Sequence, residues 1–143
     1  MEQYIVRKDI WLNAQPEVIW NVLTDPEKTK RYFFHCRVFS DWKPGSPIVW
    51  KGRILLFKKI ELHGEIIDAR PEKLLKYKLN NTHDDSVSVV TDTLTPENGG
   101  TLLAISDDVG QGPGAQERYD RSVKGWDKVL KGLKKVVDRE IYR

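Results

Sequence analysis

Residues 117–141, ERYDRSVKGWDKVLKGLKKVVDREI, repeat their apolar side chains with helical period for about seven turns. Tyr119, Val123, Trp126, Val129, Leu130, Leu133, Val136, Val137 and Ile141 recur near i, i+3, i+4 and i+7, which gathers them into one wide stripe. At ~1.5 Å per residue this helix is over about 35 Å long, the diameter of a small domain, so its stripe needs an equally long partner. The opposite face is basic, with Lys124, Lys128, Lys131, Lys134, Lys135 and Arg139 relieved by Asp120, Asp127, Asp138 and Glu140. It reads as a solvated face with Asp120–Lys124 and Asp127–Lys131 as i,i+4 pairs, although an acidic partner or membrane surface fits it too. Gly125 and Gly132, seven apart inside the helix, each cost about 1 kcal/mol relative to alanine, and close approach to a strand is the expected compensation.

The preceding residues supply the partner. From 36 to 109, short β-type runs are punctuated by turn formers at Lys43-Pro44-Gly45, Asp68 to Pro71, Asn80 to Asp85 and Pro96 to Gly100. The pattern predicts strands near 36–40, 47–52, 55–68, 73–80, 86–95 and 101–108, joined as an antiparallel meander. Alternation is clear where Leu75, Tyr77 and Leu79 oppose Leu74, Lys76 and Lys78, and where Leu102, Ala104 and Ser106 oppose Leu103 and Ile105. Residues 4–13 form a further strand. Two short helices follow it, one from Pro16 to about Leu23 and one opened by Asp25-Pro26-Glu27 and closed by Tyr32, Phe33 and Phe34. The expected α+β fold is thus a seven-stranded curved antiparallel sheet wrapped around the C-terminal helix. A bent sheet meets a straight rod well only at its ends, so geometry predicts a cavity between them.

The bulk properties set the class. The 143 residues, 39% hydrophobic and 31% charged with net charge +3, suit one soluble domain spanning 1–143 with no membrane span. A start without a secretory signal pattern and a single Cys36, read as apolar filler, place the chain in the cytoplasm, as a monomer or homodimer. Dispersed basic residues do not imply nucleic acid.

Trp20, Tyr32, Phe33, Phe34, Trp42, Trp50, Tyr77, Tyr119 and Trp126 sit on elements that converge on the helix–sheet space. Two readings stand: a solid aromatic core, or an apolar pocket of ~300–1,000 Å³ oriented by Ser88, Thr91 or tyrosine hydroxyls. On the second, the lining is expected from Trp20, Tyr32, Phe33, Trp50, Tyr77, Ser88, Tyr119, Val123, Trp126 and Leu130. Gly110-Gln111-Gly112-Pro113-Gly114 is a poor phosphate loop, because Pro113 lacks an N–H and no Lys-Ser/Thr follows. It reads as a flexible connection able to gate the pocket mouth. His35, His63 and His83 are dispersed and read as surface or rim residues, so no metal is expected. Asp84-Asp85 and Asp107-Asp108 fit turns or strand ends. No nucleophile elbow or activated cysteine argues for catalysis, and no cofactor is expected.

The stretches NAQPEVIWNVLTDPEKTKRYF (13–33), the Trp42–Gly45 turn, GEIIDARPEKLLKYKL (64–79), GGTLL (99–103) and GWDKVLKGLKK (125–135) together resemble the START-like, helix-grip superfamily (SRPBCC). Within it, the chain is similar to the homologues of the heat-shock-protein-90 ATPase activator. The resemblance implies a β-α-α-β(6)-α fold whose cavity takes lipids, polyketides, sterols or other apolar ligands. Arg31-Tyr32-Phe33 stands where many relatives carry a tryptophan at the end of the second helix, which alters the pocket wall. The leading functional reading is non-catalytic binding of a small hydrophobic or aromatic ligand. The resemblance also implies two alternatives: a chaperone-associated stress-response protein, and an enzyme like the superfamily's polyketide cyclases, aromatases or hydrolases.

Overall fold

A computed structural model describes residues 4–54, 58–82 and 84–141. The elements are β1 (Ile5–Leu12), α1 (Pro16–Thr24), α2 (Pro26–Tyr32), β2 (Cys36–Ser40), β3 (Pro47–Ile54), β4 (Lys58–Arg70), β5 (Leu74–Asn80), β6 (Val87–Glu97), β7 (Gly100–Asp108) and α3 (Ala115–Ile141). The expected strand start at 55 and His83 lie outside the described residues.

Local chemistry explains the helix boundaries. Asp25 ends α1 and begins α2, its carboxylate accepting from the Glu27 backbone N–H at 2.9 Å, while Pro26 occupies the first turn, where a missing N–H costs nothing. After Tyr32, Phe34 and His35 adopt φ of 50° and 60°, a left-handed pair that reverses the chain into β2. Thr29 stitches this corner: its hydroxyl donates to the Cys36 carbonyl and accepts from the Val38 N–H, each at 3.0 Å. Cys36 is fully buried and unpaired.

All seven strands form one antiparallel sheet in the order β1-β7-β6-β5-β4-β3-β2, the expected meander with β1 closing back on β7. A bulge between Ile66 and Asp68 bends β4. Period-two alternation sends Val90 and Leu94 of β6 and Leu103 and Ile105 of β7 to the concave face, where α3 lies along the sheet. Trp126, Val129, Leu130, Leu133, Val136 and Val137 of α3 are buried there. The two internal glycines meet the α2 end, not a strand. A Cβ on Gly132 would stand 2.9 Å from that of Tyr32, and one on Gly125 would meet only Phe34 Cζ at 3.6 Å.

Candidate ligand-binding site

Beneath α3 the rings form a connected wall. Phe33 stacks on Trp50 with centroids 5.4 Å apart and meets Phe34 and Trp126 edge-on at 5.3 and 6.2 Å. Trp50 continues to Tyr77 at 5.1 Å. The left-handed turn at Phe34 and His35 puts two consecutive aromatics on this wall, an arrangement that regular helix or strand would not give.

The wall separates two spaces. Toward the middle of α3, an inner cleft of only about 20 Å³ is lined by Tyr32, Phe33, Trp50, Leu75, Tyr77, Asp92, Trp126 and Leu133, among others. Toward its N-terminal end, a cavity of about 270 Å³ opens between α3, the β5–β6 connection and the sheet. Phe33, Phe34, Leu62, Leu79, Val109, Trp126 and Val129 give it an apolar wall, and its polar residues are Asn80, Asn81, Thr82, Ser88, Asp107, Arg118, Arg121 and Ser122.

Asp107 is the polar centre. It is 7% exposed, and its Oδ2 accepts from Ser122 Oγ at 2.6 Å and from the Trp126 indole N–H at 3.0 Å, tying β7 to α3. Its Oδ1 is sealed from solvent and has no hydrogen-bond partner among the described residues. Burial pushes the carboxyl's pKa up, while the two donors pull it down and the charge of Asp108 adds to the rise. Asp92 is 4% exposed, pairs across the ladder with Ile105, and so lies diagonally beside Asp107 on the concave face. Its Oδ1 also lacks a partner, and burial first, then the charge of Asp107, push it up to about 7. The donors Ser122 and Trp126 favour the ionised form of Asp107, whereas Oδ1 of Asp92 has none to favour its own.

Arg118 organises the mouth. Its buried guanidinium donates to the carbonyls of Val109 at 2.8 Å, Pro113 at 3.0 Å and Gln111 at 3.3 Å, and pairs with Asp84 at 3.3 Å. The glycine-rich connection expected to be a flexible gate is thus tied by its carbonyls to the first turn of α3. Three glycines there, Gly110, Gly112 and Gly114, take φ near 82°, which lets the carbonyls converge on one cation.

A sequence model of the family described as activator of Hsp90 ATPase homolog 1-like protein matches residues 13–138. The chain belongs to this family. Among solved structures, ChR145 from Cytophaga hutchinsonii is 31% identical, covers 100% of both chains and has a TM-score of 0.73. Protein MLL2253 from Mesorhizobium loti is 27% identical over 94% of this chain and 97% of its own, with a TM-score of 0.79. DynU16, a protein of the dynemicin biosynthetic locus, is 17% identical, with a TM-score of 0.78 over 96% of this chain and 48% of DynU16. None of the curated proteins matches the sequence. Membership of this family and its fold supports a ligand-binding or related role in general.

The structure divides the residues expected to line a pocket. Phe33, Ser88 and Trp126 line the larger cavity, while Tyr32, Trp50 and Tyr77 line the inner cleft with Phe33 and Trp126. Trp20, Tyr119, Val123 and Leu130 line neither, and Tyr119 packs edge-on against Tyr4 at 6.3 Å. Thr91 has the opposite parity from Val90 and Asp92 and lies on the outer face beside Arg7 and Ser106. His35 and His63 are exposed, and His63 reaches Glu61 at 2.8 Å.

Asp107, Asp92 and Arg118 were not anticipated. The signal for Asp107 was parity: the inward series Leu103, Ile105 continues to 107, so the acid is a cavity residue and not a turn residue. Asp127, expected to pair along the helix, instead reaches Lys8 of β1 at 2.9 Å, and Lys134–Asp138 at 2.8 Å is an i,i+4 pair. Among the described residues, no group of three or more His, Cys, Asp or Glu is placed to hold a metal, and no helix is long and apolar enough to cross a membrane.

Proposed function

We propose that this chain binds a compact, mostly apolar small molecule in the cavity beneath the N-terminal half of α3. The observation that supports it is a space of about 270 Å³ walled by Phe33, Phe34 and Trp126 and furnished with few convergent polar groups. Its size falls just below the ~300–1,000 Å³ of common ligand sites, which favours a frame of one or two rings over a sterol or a long acyl chain. The origin of DynU16 in a biosynthetic locus is consistent with small-molecule handling on this fold. Binding is favoured over catalysis because the Ser122 hydroxyl is engaged as a hydrogen-bond donor to the Asp107 carboxylate, and no histidine lines the cavity among the described residues.

The test uses the purified chain and 2-naphthol, a flat two-ring probe. At about a hundredfold excess over Kd a bound probe stabilises the fold by about 3 kcal/mol, so Tm rises by several degrees and tryptophan emission changes. Native mass spectrometry after gentle purification is expected to show a retained small molecule. No thermal shift together with no retained mass defeats the proposal.

A second reading, association with a chaperone, draws on the family's description and on the exposed basic residues Lys124, Lys128, Lys131, Lys135 and Arg139 along the outer side of α3. It predicts salt-sensitive capture of the cell's own Hsp90, since contacts between exposed charges weaken as ionic strength rises. Capture that is absent, or indifferent to salt, removes this reading.

A further inference from the structure

We infer that the ligand of the cavity is an amphipathic anion, a compact apolar frame bearing a carboxylate that Arg121 meets at the cavity's exposed edge. The inference rests on the binding reading above and names the chemical class of the ligand. Beneath the helix the polar groups are committed to one another. Ser122 and Trp126 both donate to Oδ2 of Asp107, and Oδ1 of the same carboxylate is sealed from solvent. Around them stand Phe33, Leu62, Val129 and the ring of Trp126, so the inner part of the space suits a frame without polar atoms, which would be left unpaired there.

The exposed edge differs. Asp107, Arg118 and Arg121 are the charged side chains among the described residues that line the cavity. Arg118 is committed to three loop carbonyls and Asp84. Arg121 has neither an ion pair nor a hydrogen bond among the described residues. It lines the cavity and is nevertheless exposed, the combination expected when an aliphatic stem follows an apolar edge and the guanidinium stays in water. Its place on α3 is one turn before Gly125, whose missing side chain leaves the cavity wall bare, and helical side chains lean toward the N-terminus, here toward the mouth. A guanidinium only donates and keeps its charge at every working pH, so its complement is an acceptor, best an ionised planar one that two parallel N–H groups can grip. On the sheet side, the half-buried Ser88 hydroxyl of β6 also has no partner among the described residues and can add a further donor.

Three probes on one frame test this: 2-naphthoate, an anion; its methyl ester, which is neutral; and 2-naphthylmethylammonium, a cation. Titrated by calorimetry at pH 7 and low salt against the whole chain, 2-naphthoate is expected to bind ~5-fold more tightly than the ester, with the ammonium weakest. The preference should shrink as salt is added, because the guanidinium is exposed. Arg121→Gln supplies the second arm: it removes the charge from a side chain without partners, so the fold should hold, the ester should bind as before, and the carboxylate should fall to within ~2-fold of it. A carboxylate that binds the native chain no more tightly than the ester overturns the inference and leaves the cavity reading standing, as does a preference unchanged in Arg121→Gln. If none of the three binds, both fall. Should the variant fail to fold, the ranking on the native chain and its salt dependence decide alone.

Discussion

Gly125 and Gly132 occupy the same face of α3 seven residues apart, yet they mark opposite kinds of space. At Gly132 the helix is pressed onto α2, where an added Cβ would stand 2.9 Å from Tyr32 Cβ and 3.2 Å from its Cα. The cleft beside it holds only about 20 Å³. At Gly125 the nearest outside atom to an added Cβ is the tip of Phe34 at 3.6 Å, and the glycine itself lines the cavity of about 270 Å³. The closed end fixes the helix on the fold and the open end leaves room for a guest. The inward-facing acids of both ends, Asp92 and Asp107, are pushed up by burial, whereas at the exposed mouth the side-chain and backbone hydrogen bonds of Ser86 hold Asp84 below its ordinary value.

The largest expected effect tests the closed end. A folded-state pKa of about 7 for Asp92, against about 3.9 in an unfolded chain, means that the folded protein holds a proton the unfolded chain has lost. Its contribution to stability is therefore fully present below about pH 4 and disappears as pH rises through 7. Across pH 4 to 8 this amounts to about 4 kcal/mol, and the raised pKa of Asp107 acts in the same direction. Asp84 acts oppositely, losing its contribution as pH falls, but it is exposed. Urea midpoints at pH 5 and pH 8 should show the native chain weakening toward pH 8 and Asp92→Asn weakening less, with Asp107 accounting for the remainder. A native chain equally stable at both values would show that the closed end is wetter than its packing indicates.

Next in size is Gly132→Ala. The atoms the new methyl meets are the Cβ and backbone of Tyr32, whose hydroxyl is itself anchored to the Val22 carbonyl at 2.8 Å, so the neighbour has little freedom to yield. Overpacking of this kind costs about 1–3 kcal/mol, and the gain in helix propensity returns about 1. The net expectation is a loss of up to about 2 kcal/mol of stability, read as a lower urea midpoint at unchanged slope. A variant more stable than the native chain would mean that helix and α2 part easily, and the contrast between the two ends would lose its basis.

How much of this was legible depended on whether a feature is periodic. Helical and strand periods located α1 to within a residue at Thr24, and α3 from Ala115 instead of Glu117. The meander order followed from short turns alone. The aromatic supply pointed to the helix–sheet space, but not to which rings border a void, because Trp20, Tyr119, Val123 and Leu130 satisfy the same periodicity from positions that line neither space. Asp92 and Asp107 were hidden for another reason. Parity placed them inside, between Val90 and Leu94 and beyond Ile105, but an acid in a strand reads as surface or turn unless its partners are known. Ser122 and Trp126 are 15 and 19 residues away in sequence. The left-handed Phe34 and His35 carried no signal, since neither is glycine.

The smallest effect is the most discriminating, because it concerns the end where nothing should resist. Gly125→Ala adds a methyl whose nearest outside neighbour is at ordinary contact distance, so only the helix-propensity term remains and the chain should gain up to about 1 kcal/mol. Gly125→Leu extends the same experiment: the larger side chain grows into the cavity, the fold holds, and 2-naphthol no longer shifts Tm. A destabilised Gly125→Ala would show that the helix is held as tightly here as at Gly132, and the cavity would then be a gap in packing instead of a place for a ligand. A Gly125→Leu chain that still binds 2-naphthol at full strength would move the binding site elsewhere. Gain at one glycine and loss at the other, in a single helix, is the outcome that only unequal ends produce.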